Sequence, residues 1–362
     1  MMRYSATHFT CPSCGGSQKF SPTTGKLRCE FCESERSITH EDTHIIAHDY
    51  HQKLNSLDPK HDNSIDKEVN CKKCGGVFSL TPFVFASHCP YCKIPALIQC
   101  IKEIHPESLL PFTIDKKDAQ SRFKKWAGSR WFAPTSFTKY LKNDHQLKGY
   151  YLPHWSYDSD TISEYEGKRG DAYYVTVTRT VSDKEGNQRQ ENVQERRIRW
   201  THVSGVVHID FDDVTVGASK TLPHSLLDTL EPWNCQKLEA FEKEYIAGFE
   251  AQEYEIGLKS GFDFAKTKMS YKIKRDIRQD IGGDEQQIHH VNTQYNDLKY
   301  KNVLFPLWIS SFKWKEKIYD YAINAQTGKV VGERPYSIVK IAFAVVTVLA
   351  IVAGFFYFQN TK

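Results

Sequence analysis

The sequence of 362 residues carries little net charge. Its 48 basic residues nearly balance 44 acidic ones, and the formal charge of +4 is too small to indicate an obligate nucleic-acid partner. Residues 1–30 contain no apolar stretch typical of a secretory signal peptide, so we expect the thiols in a reducing compartment. With 40% hydrophobic and 25% charged residues, the chain is neither wholly disordered, nor collagen-like, nor a protein with many membrane spans.

Catalytic signatures are also missing. The sequence contains no P-loop and no G-x-S-x-G, H-E-x-x-H or G-x-G-x-x-G motif, so we expect no enzymatic activity. Outside the cysteines, the densest group of metal-ligand residue types is His208, Asp210, Asp212 and Asp213. On an alternating strand the first three share one face and could hold a hard cation, as in a metal-dependent hydrolase. An exposed edge strand explains them at least as well.

What the sequence does have is cysteine in a regular arrangement. Eight of its ten cysteines form four C-x-x-C pairs, arranged as two units of C-x2-C-x14-C-x2-C that lie sixty residues apart. Four thiolates on two such turns are the ligand set of a structural zinc site, whereas a redox dithiol needs one pair. We therefore predict two Zn2+ ions, one in a ribbon over 1–36 and one over 70–100. The predicted ligands are Cys11, Cys14, Cys29, Cys32, Cys71, Cys74, Cys89 and Cys92.

The residues between the paired cysteines differ in the two ribbons. In ribbon one, four cations are nearly cancelled by Glu30, Glu33 and Glu35. The cations are Lys19, Lys26, Arg28 and Arg36. In ribbon two, residues 77–86 carry no charge and include three phenylalanines, which are Phe78, Phe83 and Phe85. Because phosphate binding needs cations, this aromatic segment favours docking on a protein, either a partner or the rest of this chain.

A polar linker over 37–69 is predicted between the ribbons. Its histidines are interpreted as a solvated face of a short helix and not as metal ligands, because no second ligand type is spaced with them. They are His40, His44, His48, His51 and His61. The two unpaired cysteines, Cys100 and Cys235, are predicted to be ordinary buried thiols.

Residues 101–335 alternate between helical and strand patterns without a βαβ cadence, which predicts a central α+β domain. Helical spacing covers 115–131 and 262–281, and the second helix has one apolar stripe. That stripe consists of Ala265, Met269, Ile273, Ile277 and Ile281. Strand patterns over 173–181 and 189–200 predict a long hairpin.

A second duplication lies in this region. The segment Tyr151–Trp155 (YLPHW) is echoed by Leu304–Trp308 (LFPLW), and Leu110–Phe112 is a weaker third copy. Proline suits a strand start or edge and tryptophan suits a core, so we interpret these motifs as structural.

The end of the sequence is strongly apolar. Residues 341–358 form an 18-residue run without a charge, about 27 Å long as a helix, and residues from 338 onward extend it. A transmembrane helix over 338–358, with four residues after it, predicts a tail-anchored protein. More basic residues flank its near side, so we expect the N-terminal bulk in the cytoplasm. The net basic face of helix 262–281 could then rest on anionic lipid.

Several long motifs resemble a known family. The CxxCGG ribbon, LLPFTIDKKDAQSRFKKWAGSRWFAP, YLPHW, KRDIRQDIGGDEQQIH and INAQTGKVVGERPYS are similar to uncharacterised bacterial TFIIB-type zinc-ribbon proteins, over most of residues 65–340. Some members carry replication-protein or primosomal-helicase labels, but this chain has no motor to match. The resemblance implies an association with envelope-stress proteins of the phage-shock-protein A and band-7 type.

These observations lead to one main hypothesis. The chain is expected to be a single-pass, tail-anchored protein of the bacterial inner membrane, with two zinc ribbons, an α+β domain and one transmembrane helix. Its cytoplasmic part would act as a protein-binding adaptor or scaffold, possible partners being the envelope-stress proteins and the bilayer. The alternatives are a nucleic-acid-binding replication accessory protein and a metal-dependent hydrolase.

Overall fold

The computed structural model describes most of the chain. The residues described are 3–5, 8–39, 45–57, 67–81, 83–98, 105–129, 132–134, 147–182, 188–314, 316–333 and 335–360. The predictions for His40, His44, His61, Cys100 and the hairpin turn at 183–187 fall outside them.

The helices are α1 (Tyr50–Ser56), α2 (Lys116–Gly128), α3 (His224–Thr229), α4 (Leu258–Ile281) and α5 (Ile338–Asn360). The strands are β1 (Arg3–Ser5), β2 (Gln18–Ser21), β3 (Lys26–Cys29), β4 (Glu35–Arg36), β5 (His48–Asp49), β6 (Lys67–Asn70), β7 (Val77–Leu80), β8 (Val84–His88), β9 (Pro95–Leu97), β10 (Ser108–Leu109), β11 (Lys148–Ser182), β12 (Gln188–Gly217), β13 (Glu239–Ala240), β14 (Glu250–Gln252), β15 (Glu285–Trp314), β16 (Lys317–Asn324) and β17 (Val330–Gly332).

The central region is α+β, as predicted, and most of it is sheet. Three strands of 35, 30 and 30 residues dominate an 11-stranded sheet, with β11 paired to both β12 and β15. At about 3.3 Å per residue, β11 extends up to about 115 Å. The predicted hairpin is therefore the end of a much longer strand pair.

The duplicated motifs lie side by side in this sheet. Leu152 faces Phe305 across the β11–β15 ladder, and the Leu110 N–H donates to the Leu304 carbonyl at 3.0 Å on the other side of β15. These side chains are fully buried, which confirms a structural role. The prolines were expected at strand starts, yet Pro153 and Pro306 lie inside long strands. On one side of each proline, the pairing with one neighbouring strand ends and the pairing with another begins. The missing N–H therefore removes no ladder hydrogen bond at that point.

Helix α4 matches its sequence prediction closely. Its apolar stripe is buried against β11, β12 and β15, and Gly282 ends it with φ +65°. Where the helix starts, the Tyr157 hydroxyl donates to the Leu258 carbonyl at 2.7 Å. A Cβ at Gly261 would lie 2.5 Å from the Tyr157 hydroxyl oxygen, so only glycine permits this close approach.

Helix α2 packs at the other end of the sheet. Asp115 caps the N-terminus of α2, because its carboxylate accepts a hydrogen bond from the Asp118 N–H. The helix therefore begins where the sequence predicted. The Phe123 ring stacks on Tyr321 of β16 with centroids 3.7 Å apart. Since β16 pairs with the part of β15 that faces the start of β11, α2 lies near Lys148 and far from Ser182 at the other end of β11.

The polar linker contributes more structure than its composition indicates. Strand β5 pairs with β15, and α1 follows it directly. Tyr50 is buried in the same cluster as α4, and its ring packs on Phe262 with centroids 5.1 Å apart. A ring nitrogen of His48 lies 2.5 Å from a carboxylate oxygen of Glu107. This histidine therefore contacts a carboxylate of the central region.

Candidate metal centres and membrane segment

The eight paired cysteines come together in two clusters. In each cluster, the four sulfur atoms lie within 4.8 Å of one another. The cross-pair Sγ–Sγ distances are 3.6 and 3.5 Å in ribbon one and 3.7 and 3.8 Å in ribbon two. The sequence-predicted ligand sets Cys11, Cys14, Cys29, Cys32 and Cys71, Cys74, Cys89, Cys92 are the same two groups.

These separations fit a tetrahedral metal site. A metal with bonds of about 2.3 Å to four sulfurs places neighbouring sulfurs about 3.8 Å apart. The observed distances lie within a few tenths of an ångström of that value. Each cluster can therefore hold one metal ion with four protein ligands and no open position.

The backbone holds the thiols by the same turns in both ribbons. Gly15 and Gly75 have φ +71° and +72°, and their N–H groups donate to the carbonyls of Cys11 and Cys71. At the second turn of ribbon two, Lys93 has φ +62° and donates to the Cys89 carbonyl at 2.9 Å. Positive φ favours glycine, which explains the first of the two glycines in CxxCGG.

The clusters are poised to lose protons on binding a metal. A hydrogen bond with Ser34 outweighs desolvation and lowers the pKa of Cys11 to about 6. In Cys14, hydrogen bonds with the other thiols outweigh the Gly16 N–H and raise the pKa to about 12. Burial and neighbouring thiols likewise raise the pKa of Cys92 to about 12. Four crowded thiols cannot all ionise without a compensating cation, which a divalent metal supplies.

Two polar contacts to the sulfurs were not foreseen. The Ser34 hydroxyl lies 3.1 Å from Cys11 Sγ, and the spacing from Cys32 could have indicated it. His8 Nε2 lies 3.7 Å from Cys71 Sγ while its Nδ1 lies 2.6 Å from the Pro95 carbonyl oxygen. No local pattern links His8 to a cysteine 63 positions away. His8 therefore ties the start of ribbon one to the metal cluster of ribbon two.

The uncharged segment of ribbon two packs on its own chain. Ala86 and Val84 of β8 pair with β14, and the Glu253 N–H donates to the Phe83 carbonyl at 2.6 Å. Phe85 is 1% exposed. Of the two docking alternatives, the structure supports the intramolecular one, so the phenylalanines do not form a free partner surface.

Ribbon one also packs on the body, but its described strands do not join the central sheet. Its own sheet consists of β2, β3 and β4. The Phe20 N–H donates to the Ala247 carbonyl at 2.9 Å, and the Phe20 ring packs on Tyr245 with centroids 5.2 Å apart. At its edge, Arg36 lies 3.6 Å from Glu244.

Three cations of ribbon one form ion pairs within that ribbon. Their partners are glutamates of the same ribbon, at 2.6 to 3.9 Å. The pairs are Lys19 with Glu30, Lys26 with Glu35 and Arg28 with Glu33. This pairing offsets the positive charge of these three side chains, which phosphate binding would need.

His208, Asp210 and Asp212 share the exposed face of the edge strand β12, as the alternating pattern predicted, but they do not form one cluster. His208 and Asp210 are exposed further along the strand, whereas Asp212 and Asp213 cluster with Asp158. The Lys301 ammonium lies 2.7 Å from Asp213 and 3.1 Å from Asp158. The lysine thus neutralises the carboxylates, and no histidine among the described residues joins them.

Cys235 is half-buried and packs beside an apolar cluster that includes Phe305. Burial, followed by the nearby Asp213, raises the pKa of its thiol to about 12. It belongs to neither four-cysteine cluster, in agreement with its prediction as a structural thiol.

Helix α5 is long and apolar enough to cross a membrane. Its segment Ile338–Tyr357 has a mean hydropathy of 2.6, and none of that segment is buried within the described protein. Twenty helical residues span about 30 Å, the thickness of the hydrocarbon core. A core helix would be covered by the protein, so the exposed apolar surface suits a bilayer.

The first turn of α5 is attached to the segment that follows α2. The Ser337 N–H donates to the Phe132 carbonyl at 2.8 Å. The Lys340 ammonium donates to the Ala133 carbonyl at 2.8 Å. Helix α5 therefore leaves the body close to the C-terminal end of α2.

At its far end, the β11–β12 pair has no third strand beside it among the described residues. The last β15 pairing is Gly170 with Glu285, and residues 171–182 and 188–199 continue as a two-stranded ribbon, here called the distal hairpin. One of its faces carries an apolar stripe, here called the valine face, formed by Tyr173, Val175, Val177, Val181 and Val193. This face continues the sheet face that α4 covers, beyond the end of that helix.

The fold and sites thus define a mixed α+β protein with two four-cysteine centres and one apolar helix. Over 344 residues the chain is 28% identical to "Uncharacterized protein YdjG" of Bacillus subtilis (strain 168), a match that covers 92% of each chain. No family model matches the sequence, and no solved structure matches it.

Proposed function

We propose that this protein is an adaptor held at the bacterial inner membrane by α5, with a zinc-stabilised cytoplasmic body that presents the distal hairpin to a protein partner. The observation that carries the proposal is the placement of α5 and the distal hairpin at opposite ends of β11. An apolar helix anchors one end, and the two-stranded distal hairpin extends from the other.

The metal is proposed to be zinc in both clusters. Four thiolates with tetrahedral separations and no open position suit a structural zinc ion, which contributes directly to folding. When bound, such an ion supplies cross-linking energy and no chemistry. The chain's own residues supply the turns, and no catalytic role is proposed for any of them.

The valine face is proposed to bind protein and not nucleic acid. Val193 and Val181 are each 37% exposed and Tyr173 is 44% exposed, on a face with interleaved charges. Those charges are balanced by ion pairs at 3.5 to 3.9 Å, which are Arg179 with Glu195, Arg197 with Glu195 and Arg189 with Glu191. Exposed apolar and aromatic groups among balanced charges are typical of protein interfaces.

The family resemblance selects the first partners to test, which are phage-shock-protein A and band-7 type proteins. The full chain should be crosslinked and purified from native membranes. We expect Val177→Ser with Val193→Ser, a directly opposed pair, to lower partner recovery at least tenfold. Thr176→Ser with Gln194→Ser, the neighbouring pair on the opposite face, is the matched control and should leave recovery unchanged.

Unchanged recovery with the valine pair replaced would contradict the partner site.

The anchor is tested separately by removing residues from 335 onward, which should release the chain from membranes. Retention of the shortened chain after a high-salt wash would contradict a single anchor. Steeply salt-dependent retention on DNA at physiological salt would instead support the nucleic-acid alternative.

A further inference from the structure

The outer face of α2 is strongly basic. Helix α2 has five exposed cations, of which Lys117, Lys124 and Lys125 lie on its outer face. The other two are Lys116 and Arg122. Arg122 pairs with Asp118 at 3.0 Å. No carboxylate among the described residues lies within ion-pair distance of the three lysines on the outer face, Lys117, Lys124 and Lys125.

This basic face lies close to the point where α5 begins. The Ser129 N–H donates to the Lys125 carbonyl at 3.0 Å, and Phe132 follows Ser129 by three residues, a span of at most about 11 Å. Phe132 is bonded to Ser337, next to the first residue of α5. The last turn of α2 is therefore within roughly two Debye lengths of the membrane that α5 would enter.

Helix α4, the basic helix that the sequence first suggested for lipid contact, is placed differently. Its start packs at Tyr157, and its end at Ile281 lies beside Gly167, far along β11 from α2. Several of its cations are also paired, including Lys266 with Asp263 at 2.6 Å. Both position and charge thus favour α2 over α4 at a membrane surface.

We propose that the outer face of α2 binds anionic phospholipid headgroups beside the entry point of α5. The proposal rests on the proposed membrane anchor, and it adds a second, electrostatic contact that would fix the orientation of the body on the bilayer. Lysines near an anionic surface each favour binding by about fivefold, and Lys124 and Lys125 are the nearest to α5.

The test uses the full chain reconstituted in lipid nanodiscs. The photoreactive residue p-benzoylphenylalanine is placed at Ser121, which is exposed on the outer face, or at Tyr271, which is 72% exposed on α4, as a control position. We expect the Ser121 probe to crosslink lipid at least fivefold more in nanodiscs of one-third phosphatidylglycerol than in pure phosphatidylcholine. The Tyr271 probe should not crosslink lipid in either.

Charge variants complete the test. Lys124→Gln with Lys125→Gln should reduce crosslinking from Ser121 to the phosphatidylcholine level, while Lys259→Gln with Lys274→Gln on α4 should not. Equal crosslinking to both lipids, none to either, or no effect of the α2 variants would overturn the inference and leave the anchor intact. A chain that does not enter nanodiscs at all would overturn the proposed anchor and this inference together.

Discussion

The two ribbons share their cysteine geometry and differ in what surrounds it. Their strand registers repeat at the same offset as their cysteines, since β3 pairs with β4 as β8 pairs with β9. In ribbon one, β2 pairs with β3 to close a hairpin. In ribbon two, β7 pairs with β6, and β8 pairs with β14 of the central sheet. One ribbon thus keeps its own small sheet and packs on the body through side chains, and the other contributes a strand to the central sheet.

One pair of matching positions accounts for much of this difference. Gly25 lies in the ribbon-one turn with φ +66°, and its N–H donates to the Ser21 carbonyl at 2.9 Å. The matching residue of ribbon two is Phe85, which continues as a strand and buries its ring. Because a phenylalanine avoids positive φ, the tight turn cannot form there, and the extended segment joins the sheet instead.

The largest expected effect comes from removing one metal ligand in each ribbon. Structural zinc can supply about 10 kcal/mol or more of folding energy, so Cys71→Ser should unfold ribbon two. Strand β8 would then no longer pair with the central sheet. The melting temperature of the whole body should then fall. Cys11→Ser should remove one zinc as well, but the main melting transition should persist. Elemental analysis measures the zinc content, and circular dichroism of detergent-solubilised protein measures the melting temperature. An equal loss of body stability in the two variants would contradict the difference between the ribbons.

A smaller difference is expected for the buried rings. Phe85→Ala should lower the free energy of unfolding of the body by about 3–5 kcal/mol, because the ring is buried within the central structure. Phe20→Ala removes a ring that connects ribbon one to Tyr245, so it should mainly release the ribbon. Urea denaturation measures the first effect, and faster proteolysis within residues 8–39 measures the second. A large loss of body stability from Phe20→Ala would show that ribbon one is also integral.

Local patterns predicted the parts of this molecule that depend on neighbouring residues. The cysteine spacing identified both four-thiol groups, and the stripe from Ala265 to Ile281 identified α4. The 18-residue apolar run identified α5. Each signal lies within a few turns of chain, so a single sequence is sufficient to recognise it.

The parts that the sequence did not reveal depend on distant pairing. The contact of Ala86 with Ala251 joins residues with no shared pattern, and nothing nearby identifies β8 as a strand of the central sheet. The full length of β11 was missed because Gly167 and Gly170 interrupt its strand pattern. Gly167 lies against the backbone of Gln287, where a Cβ would come within 2.4 Å of the carbonyl oxygen.

Metal affinity should fall on acidification in both ribbons, although the matching thiols Cys32 and Cys92 have pKa values shifted in opposite directions. The Ser34 hydrogen bond lowers the pKa of Cys32, and burial raises the pKa of Cys92. A thiol must lose its proton to bind zinc, so affinity should rise with pH and fall on acidification, about tenfold per pH unit for each proton released. Cys14 and Cys92 both have a metal-free pKa of about 12, so each site releases protons near neutrality. Competition with a chromophoric chelator between pH 6 and 8 measures the slopes. A slope of zero in either ribbon would contradict this expectation.

The smallest expected effect tests the turns that both ribbons share. Gly15→Ala and Gly75→Ala should each destabilise their ribbon by about 1–2 kcal/mol, because an L-residue is disfavoured at positive φ. No atom lies within 4 Å of the added Cβ at either position, so the loss is a backbone effect alone. Asparagine tolerates this conformation better and should recover part of the loss at both positions. Zinc-release kinetics measure the change, and unequal values would mean that docking to the body alters the metal turn itself.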